Sequence, residues 1–223
     1  NRIKIQDIVD LASITDDYDT IEVNGVLTNL SGNTLKLLNL LQNDPNKIWE
    51  NIRFGTAPRD EVEEQPSSPA FFAILIAAMK KTKRLEIECV LSDTAGYSCL
   101  ATGLLAQDGI QELELNRADC LDLDGAKVLA EAMVCTTCLK RFDLFGFDFR
   151  DEYVCDVLVE ALKRNRSLEE SRLGLWNDGT SLSKFLCTLP NHPNLRSLSL
   201  RSRHMSEQVM ENLREWLGRK NCR

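Results

Sequence analysis

Cys135-Thr-Thr-Cys138 has the spacing of a redox pair or of half a zinc site, and Cys187 stands five residues before His192. These are the places where residue types and spacing could do chemistry. Zinc wants four ligands. The chain has two histidines, His192 and His204, twelve residues apart, and no second Cys-x-x-Cys. A cysteine nucleophile needs a histidine base and an acid to orient it, yet Cys187 belongs to the apolar side of Phe185-Leu186-Cys187-x-Leu189 and His192 follows Pro190. No Gly-x-Gly-x-x-Gly and no Gly-Lys-Ser/Thr loop is present, so phosphate cradles of those kinds are not indicated. The expectation is a protein without catalytic residues, metal or cofactor. A thiol-based redox or hydrolytic enzyme using Cys135 and Cys138, or Cys187 and His192, is the alternative from another class.

The elements that hold these residues recur. Ile110-Gln-Glu-Leu-Glu-Leu, Leu139-Lys-Arg-Phe-Asp-Leu and Leu168-Glu-Glu-Ser-Arg-Leu share the pattern apolar-x-x-apolar-x-apolar, and Leu115, Leu144 and Leu173 stand 29 and 29 residues apart. The alternation at the end of each pattern is that of a short strand with one apolar face. A helical run, Val128 to Met133, is echoed 29 positions later by Val157 to Leu162. One strand and one helix cannot bury their apolar faces alone, so each unit must stack on its neighbours and share a core. Looser copies extend the series to both sides. Thr20–Asn24, Trp49–Phe54, Arg84–Cys89 and Leu195–Leu200 predict further strands, with steps of 31 from Val23 to Phe54, 33 to Ile87, 28 to Leu115 and 27 from Leu173 to Leu200.

This pattern resembles the leucine-rich-repeat family, in its ribonuclease-inhibitor-like branch with long repeats, over roughly residues 17 to 217. The resemblance implies an α/β fold. It would be a right-handed solenoid of about seven repeats, a horseshoe arc with parallel strands on the concave face and helices on the convex face. It also implies a protein-binding scaffold. The asparagine that the family carries after the strand is poorly kept, with Asn177 occupying it in one repeat.

The whole of 1–223 is expected to be one such domain. Residues 1–16 would be an N-terminal cap or partial repeat. Residues 56–69, rich in proline and carboxylates and without apolar periodicity, would be a surface loop insertion. Residues 206–223 would be a capping helix and tail, with Ser206 as N-cap and Gly218 past the helix end. Asp122 or Asp124 should cap the helix that runs to Val134.

A formal charge of −7 argues against non-specific binding to nucleic acid or to an anionic membrane surface. The longest apolar run, Ala70 to Met79, has ten residues, where a bilayer-spanning helix takes about 20. It reads as a buried helix, so membrane insertion is not expected. The eight cysteines form no evenly spaced framework. Several occupy small apolar positions, as Cys155 does, which reads as buried reduced thiols and an intracellular, cytoplasmic or otherwise reducing compartment.

The residues between core positions point to the other face of the strands. Glu86, Glu88, Glu112, Glu114 and Asp143 form an acidic middle, with Arg172 and Arg201 beyond it and Phe145 beside Asp143. Five carboxylates side by side repel unless cations or a partner screen them. These eight residues are therefore the expected partner-binding set, for a protein presenting a basic or mixed-charge surface. Phe145 is either an aromatic hot spot or, with Phe142, Phe147 and Phe149, part of a locally irregular core. The leading reading is a non-catalytic interaction module or scaffold within a larger assembly. A structural subunit contacting neighbours through its convex helices is the other non-enzyme reading.

Overall fold

In the computed structural model, which describes residues 2–4, 20–24, 48–55, 82–88, 94–106, 109–116, 121–147, 152–175, 192–202 and 207–219, the recurring patterns become rungs of one sheet. Its strands are β1 (Arg2–Lys4), β2 (Thr20–Asn24), β3 (Trp49–Gly55), β4 (Thr82–Glu88), β5 (Glu112–Asn116), β6 (Arg141–Phe147), β7 (Glu170–Leu175) and β8 (Ser197–Ser202). All neighbours are parallel and in chain order. Val23 pairs with Phe54, Phe54 with Ile87, Ile87 with Leu115, and Leu115, Leu144, Leu173 and Leu200 follow in line. This register is the one the spacing predicts. A slip by one residue would turn every apolar side chain out of the core, which is why the period determines it.

Residues 2–4 belong to the stretch expected to be a cap or partial repeat. They add an eighth parallel strand at the sheet edge. Strands β5 to β8 also begin two residues later than the first apolar residue of their patterns. Ile110, Leu139, Leu168 and Leu195 are buried but lie on the incoming turn. There one carbonyl per unit accepts two N–H groups from the next. Gln111 O takes Lys140 and Arg141, Lys140 O takes Glu169 and Glu170, and Glu169 O takes Arg196 and Ser197, at 2.7–3.2 Å.

The helices are α1 (Thr94–Leu105), α2 (Leu123–Cys135), α3 (Glu152–Arg164) and α4 (Glu207–Arg219). They pack in sequence, α1 on α2 and α2 on α3. Their apolar side chains, among them Leu100, Leu129, Met133, Leu158 and Leu162, meet the strand residues Leu85, Ile87, Leu113, Leu115, Phe142 and Leu144 in one core. Each such side chain contributes about 1.5–3 kcal/mol when fully buried. In the first turn of helix α1 the Ser98 hydroxyl donates back to Thr94 O at 2.8 Å. Helix α4 runs through Gly218 to Arg219 rather than stopping before it. Glycine is common past a helix end because it tolerates other conformations, but nothing prevents it from being helical.

Of the two candidate caps, Asp122 takes the role. Its Oδ1 accepts the N–H of Gly125 at 2.7 Å, and its Oδ2 accepts the hydroxyl of Thr94 at 2.6 Å, tying the start of α1 to the start of α2. A Cβ on residue 125 would stand 2.9 Å from that Oδ1 and 3.0 Å from the Tyr97 ring, so only glycine allows this approach. The expected insertion 56–69, the apolar run 70–79, Asn177, and the cap and tail at 206 and 220–223 lie outside the described residues.

Candidate functional site

Alternation puts every second strand residue on the sheet face turned away from the helices. Strand pairing arranges these residues in three rows. One row reads Asn51, Arg84, Glu112, Arg141, Glu170, Ser197, the middle row Arg53, Glu86, Glu114, Asp143, Arg172, Ser199, and the third Glu88, Asn116, Phe145, Gly174, Arg201. All eight sequence-predicted residues are on this face.

The acidic middle is not the bare run of carboxylates that the sequence suggested. Arg53 Nε lies 3.2 Å from Glu86 and its Nη2 2.9 Å from Glu88. Arg84 Nη2 binds Glu114 and lies 3.8 Å from Glu86. Arg141 donates from Nε (2.8 Å) and Nη2 (2.7 Å) to Asp143 Oδ2, and its Nη1 is 3.8 Å from Glu112. Asn116 Nδ2 adds a bond to Glu114 at 2.9 Å. The screening is thus internal, supplied by three arginines.

Burial follows the pairing. Asp143 is 1 % exposed and Glu86 9 %, so neither is an open surface charge. Burial first, and the charge of Glu114 second, hold the Glu86 carboxyl above the usual carboxylate range, against the pull of Arg53 and Arg84. The bond to Glu88 raises Arg53, and the bond to Asp143 raises Arg141. Asp143 Oδ1 is buried without a hydrogen-bond partner, as are Asn51 Oδ1 and Arg84 Nε on the same face.

At the β7–β8 end the pattern changes. Arg172 and Arg201 are exposed, and among the described residues neither has a carboxylate within ion-pair distance. Asp143, the register partner of Arg172, is already engaged by Arg141. Phe145 is half-buried beside this end, its ring lying over Gly174. It therefore faces outward, whereas Phe142 is core. The side chain of Phe147 and residue 149 lie outside the described set. Residue 146 is skipped in the pairing, a bulge between the Phe145–Gly174 and Phe147–Leu175 pairs.

Cys135 is exposed at the last residue of α2, not buried as expected of the cysteines in general. Cys138 is half-buried, its thiol donating to Ile110 O at 3.3 Å, and Cys155 is buried in α3. His192 is a buried turn residue. Its Nδ1 accepts the N–H groups of Asn194 (3.3 Å) and Leu195 (2.9 Å), so that nitrogen carries no proton and is not available as a base. Cys187 and His204 lie outside the described residues. Among the described residues no group of three His, Cys, Asp or Glu side chains could hold a metal ion, and no helix is long and apolar enough to cross a membrane.

Sequence reasoning missed two features. Arg84 and Arg141 were legible from alternation, each standing two residues before an acid on the same face. The second is a buried polar joint at Asn165. Its Nδ2 donates to Met133 O (2.6 Å), and its Oδ1 accepts Ser167 N (2.9 Å) and Leu168 N (2.7 Å), satisfying a helix-end carbonyl and a turn at once. His192 makes the same two turn bonds one unit on, and Thr136, Asn165 and His192 each stand three residues before a buried leucine.

No family model and no curated protein sequence matches the chain. Among solved structures it is similar to the leiomodin-1 actin-binding site 2, at 10 % sequence identity and a TM-score of 0.45, over 82 % of this chain and 87 % of that one.

Proposed function

We propose that the chain is a non-catalytic protein-interaction module, a scaffold of leucine-rich-repeat type with its sheet on the concave side. The ribonuclease-inhibitor-like branch is the form its long helical units fit best. One observation carries the reading. Parallel sheets are ordinarily covered by helices on both faces, yet here the described helices pack on one face, and among the described residues no element covers the other. A curved stack of about seven such units would present that face as a groove. Its partner is a protein surface of mixed charge, because most of the acidic middle is already paired while Arg172 and Arg201 have no carboxylate partner among the described residues. The paired state of the carboxylates and the engaged Nδ1 of His192 favour binding over catalysis.

Photocrosslinking tests the face. A benzophenone side chain is placed at Ser199, exposed in the middle row, and separately at Tyr153, 72 % exposed on α3. In extract from the native source, Ser199 is expected to capture a discrete protein and Tyr153 to capture none. Capture from Tyr153 alone would favour the reading in which the helices contact neighbours, and capture from neither would remove the interaction module.

A further inference from the structure

We propose that the β7–β8 end of the polar face recognises an acidic peptide segment carrying an apolar side chain, using Arg172, Arg201 and Phe145. The inference rests on the interaction reading above and adds the chemistry of the partner. Three observations converge. Arg172 and Arg201 are exposed cations without a carboxylate in reach among the described residues, although Arg53, Arg84 and Arg141 on the same face are all paired. Phe145 is half-exposed in the row that ends at Arg201. Between them Gly174 presents no side chain, and its register partners are Phe145 on one side and Arg201 on the other. The Phe145 ring lies over the buried Gly174, so its half-exposed face stands next to the strand that carries Arg201.

The half-exposed ring gives an apolar side chain a surface to pack on while the two guanidinium groups reach carboxylates beside it. Arginine and aromatic residues are the types that most often dominate binding energy. Among the described residues of β7 and β8, the one carboxylate on this face is Glu170, at the opposite end of β7 from Gly174 and in register with Arg141. It leaves the Arg201 side cationic. A basic partner would meet Arg172 and Arg201 unpaired, which costs affinity by like-charge repulsion.

Three fluorescently labelled peptides of equal length test this by anisotropy on the intact chain: a glutamate-rich peptide with one central leucine, the same with lysine for glutamate, and the glutamate peptide with glycine for leucine. The glutamate–leucine peptide is expected to bind best. Arg172→Glu with Arg201→Glu should weaken it by about ten-fold or more, Phe145→Ala should erase its advantage over the glycine peptide, and Arg164→Glu at the end of α3 should change nothing. Thermal melts confirm that each variant is folded. Equal or better binding of the lysine peptide, or an unchanged affinity in the double arginine variant, or no binding of the glutamate peptide by the folded wild type, overturns the proposal. Continued crosslinking from Ser199 in that event leaves the interaction reading standing, and loss of that crosslink removes both.

Discussion

Phe145 and Gly174 are cross-strand partners so close that a Cβ on residue 174 would lie 2.7 Å from the Phe145 ring and 3.3 Å from its Cα. The ring can swing away from such a methyl group, but the Cα belongs to the sheet and cannot. Gly174→Ala is therefore expected to cost about 1–3 kcal/mol, measured by urea unfolding. In Phe145→Ala the ring is gone, so adding Gly174→Ala should cost visibly less than in wild type, a coupling that a double-mutant cycle reads directly. Strict additivity would mean that the ring does not occupy the space above Gly174.

His192 does the work that Asn165 does one unit earlier. Both accept the two N–H groups that turn the chain into the next strand. His192→Ala leaves two turn donors without that acceptor and is expected to cost about 1–3 kcal/mol. His192→Asn keeps an acceptor at the same position and should recover most of the loss in chemical denaturation. A histidine required for catalysis would show the reverse ordering, with stability indifferent and asparagine no better than alanine.

That equivalence shows what a single sequence reveals and what it hides. Leu115, Leu144, Leu173 and Leu200 align as their spacing demands, because a core shared by stacked units leaves no freedom of register. The eighth strand at residues 2–4 was ambiguous for a physical reason. At a sheet edge pairing occurs on one side only, so a three-residue strand with Ile3 inside it and Ile5 after it leaves a weak pattern. The placement of the charged residues on one face was equally legible. Their pairing was not, since whether Arg84 reaches Glu114 or solvent depends on side-chain reach and rotamer rather than on period. Asn165 and His192 were concealed because chemically different side chains meet one geometric need.

Glu86 and Asp122 should bend the pH dependence of stability in opposite directions. Burial raises the Glu86 pKa in the folded chain, so its contribution is fully present below the unfolded value and is lost as pH rises through the folded one. At neutral pH its charge is a net cost, and Glu86→Gln is expected to keep or raise the melting temperature there. The bonds from Thr94 and Gly125 lower the Asp122 pKa, so its contribution is present above the unfolded value and is lost as pH falls through the folded one. Asp122→Asn should lower the melting temperature at neutral pH, with the difference closing in acid. Melts across the carboxylate range compare the two, and a marked loss for Glu86→Gln at neutral pH would show that its pairs with Arg53 and Arg84 outweigh its burial.

Arg141 and Arg172 occupy neighbouring rows of one face, yet their removal should have very different consequences. Asp143 is buried with both of its bonds coming from Arg141. Arg141→Met would strand that carboxylate, and a buried charge deprived of its partner costs about 3 kcal/mol or more. Asp143→Asn in the same chain removes the stranded charge and should restore most of the stability. Arg172 is exposed and unpaired among the described residues, so Arg172→Met should stay within about 0.5 kcal/mol of wild type. Urea unfolding of the three variants separates the roles. Equal losses for Arg141→Met and Arg172→Met would mean that Asp143 draws on both arginines, and Arg172 would then no longer be free to meet a partner.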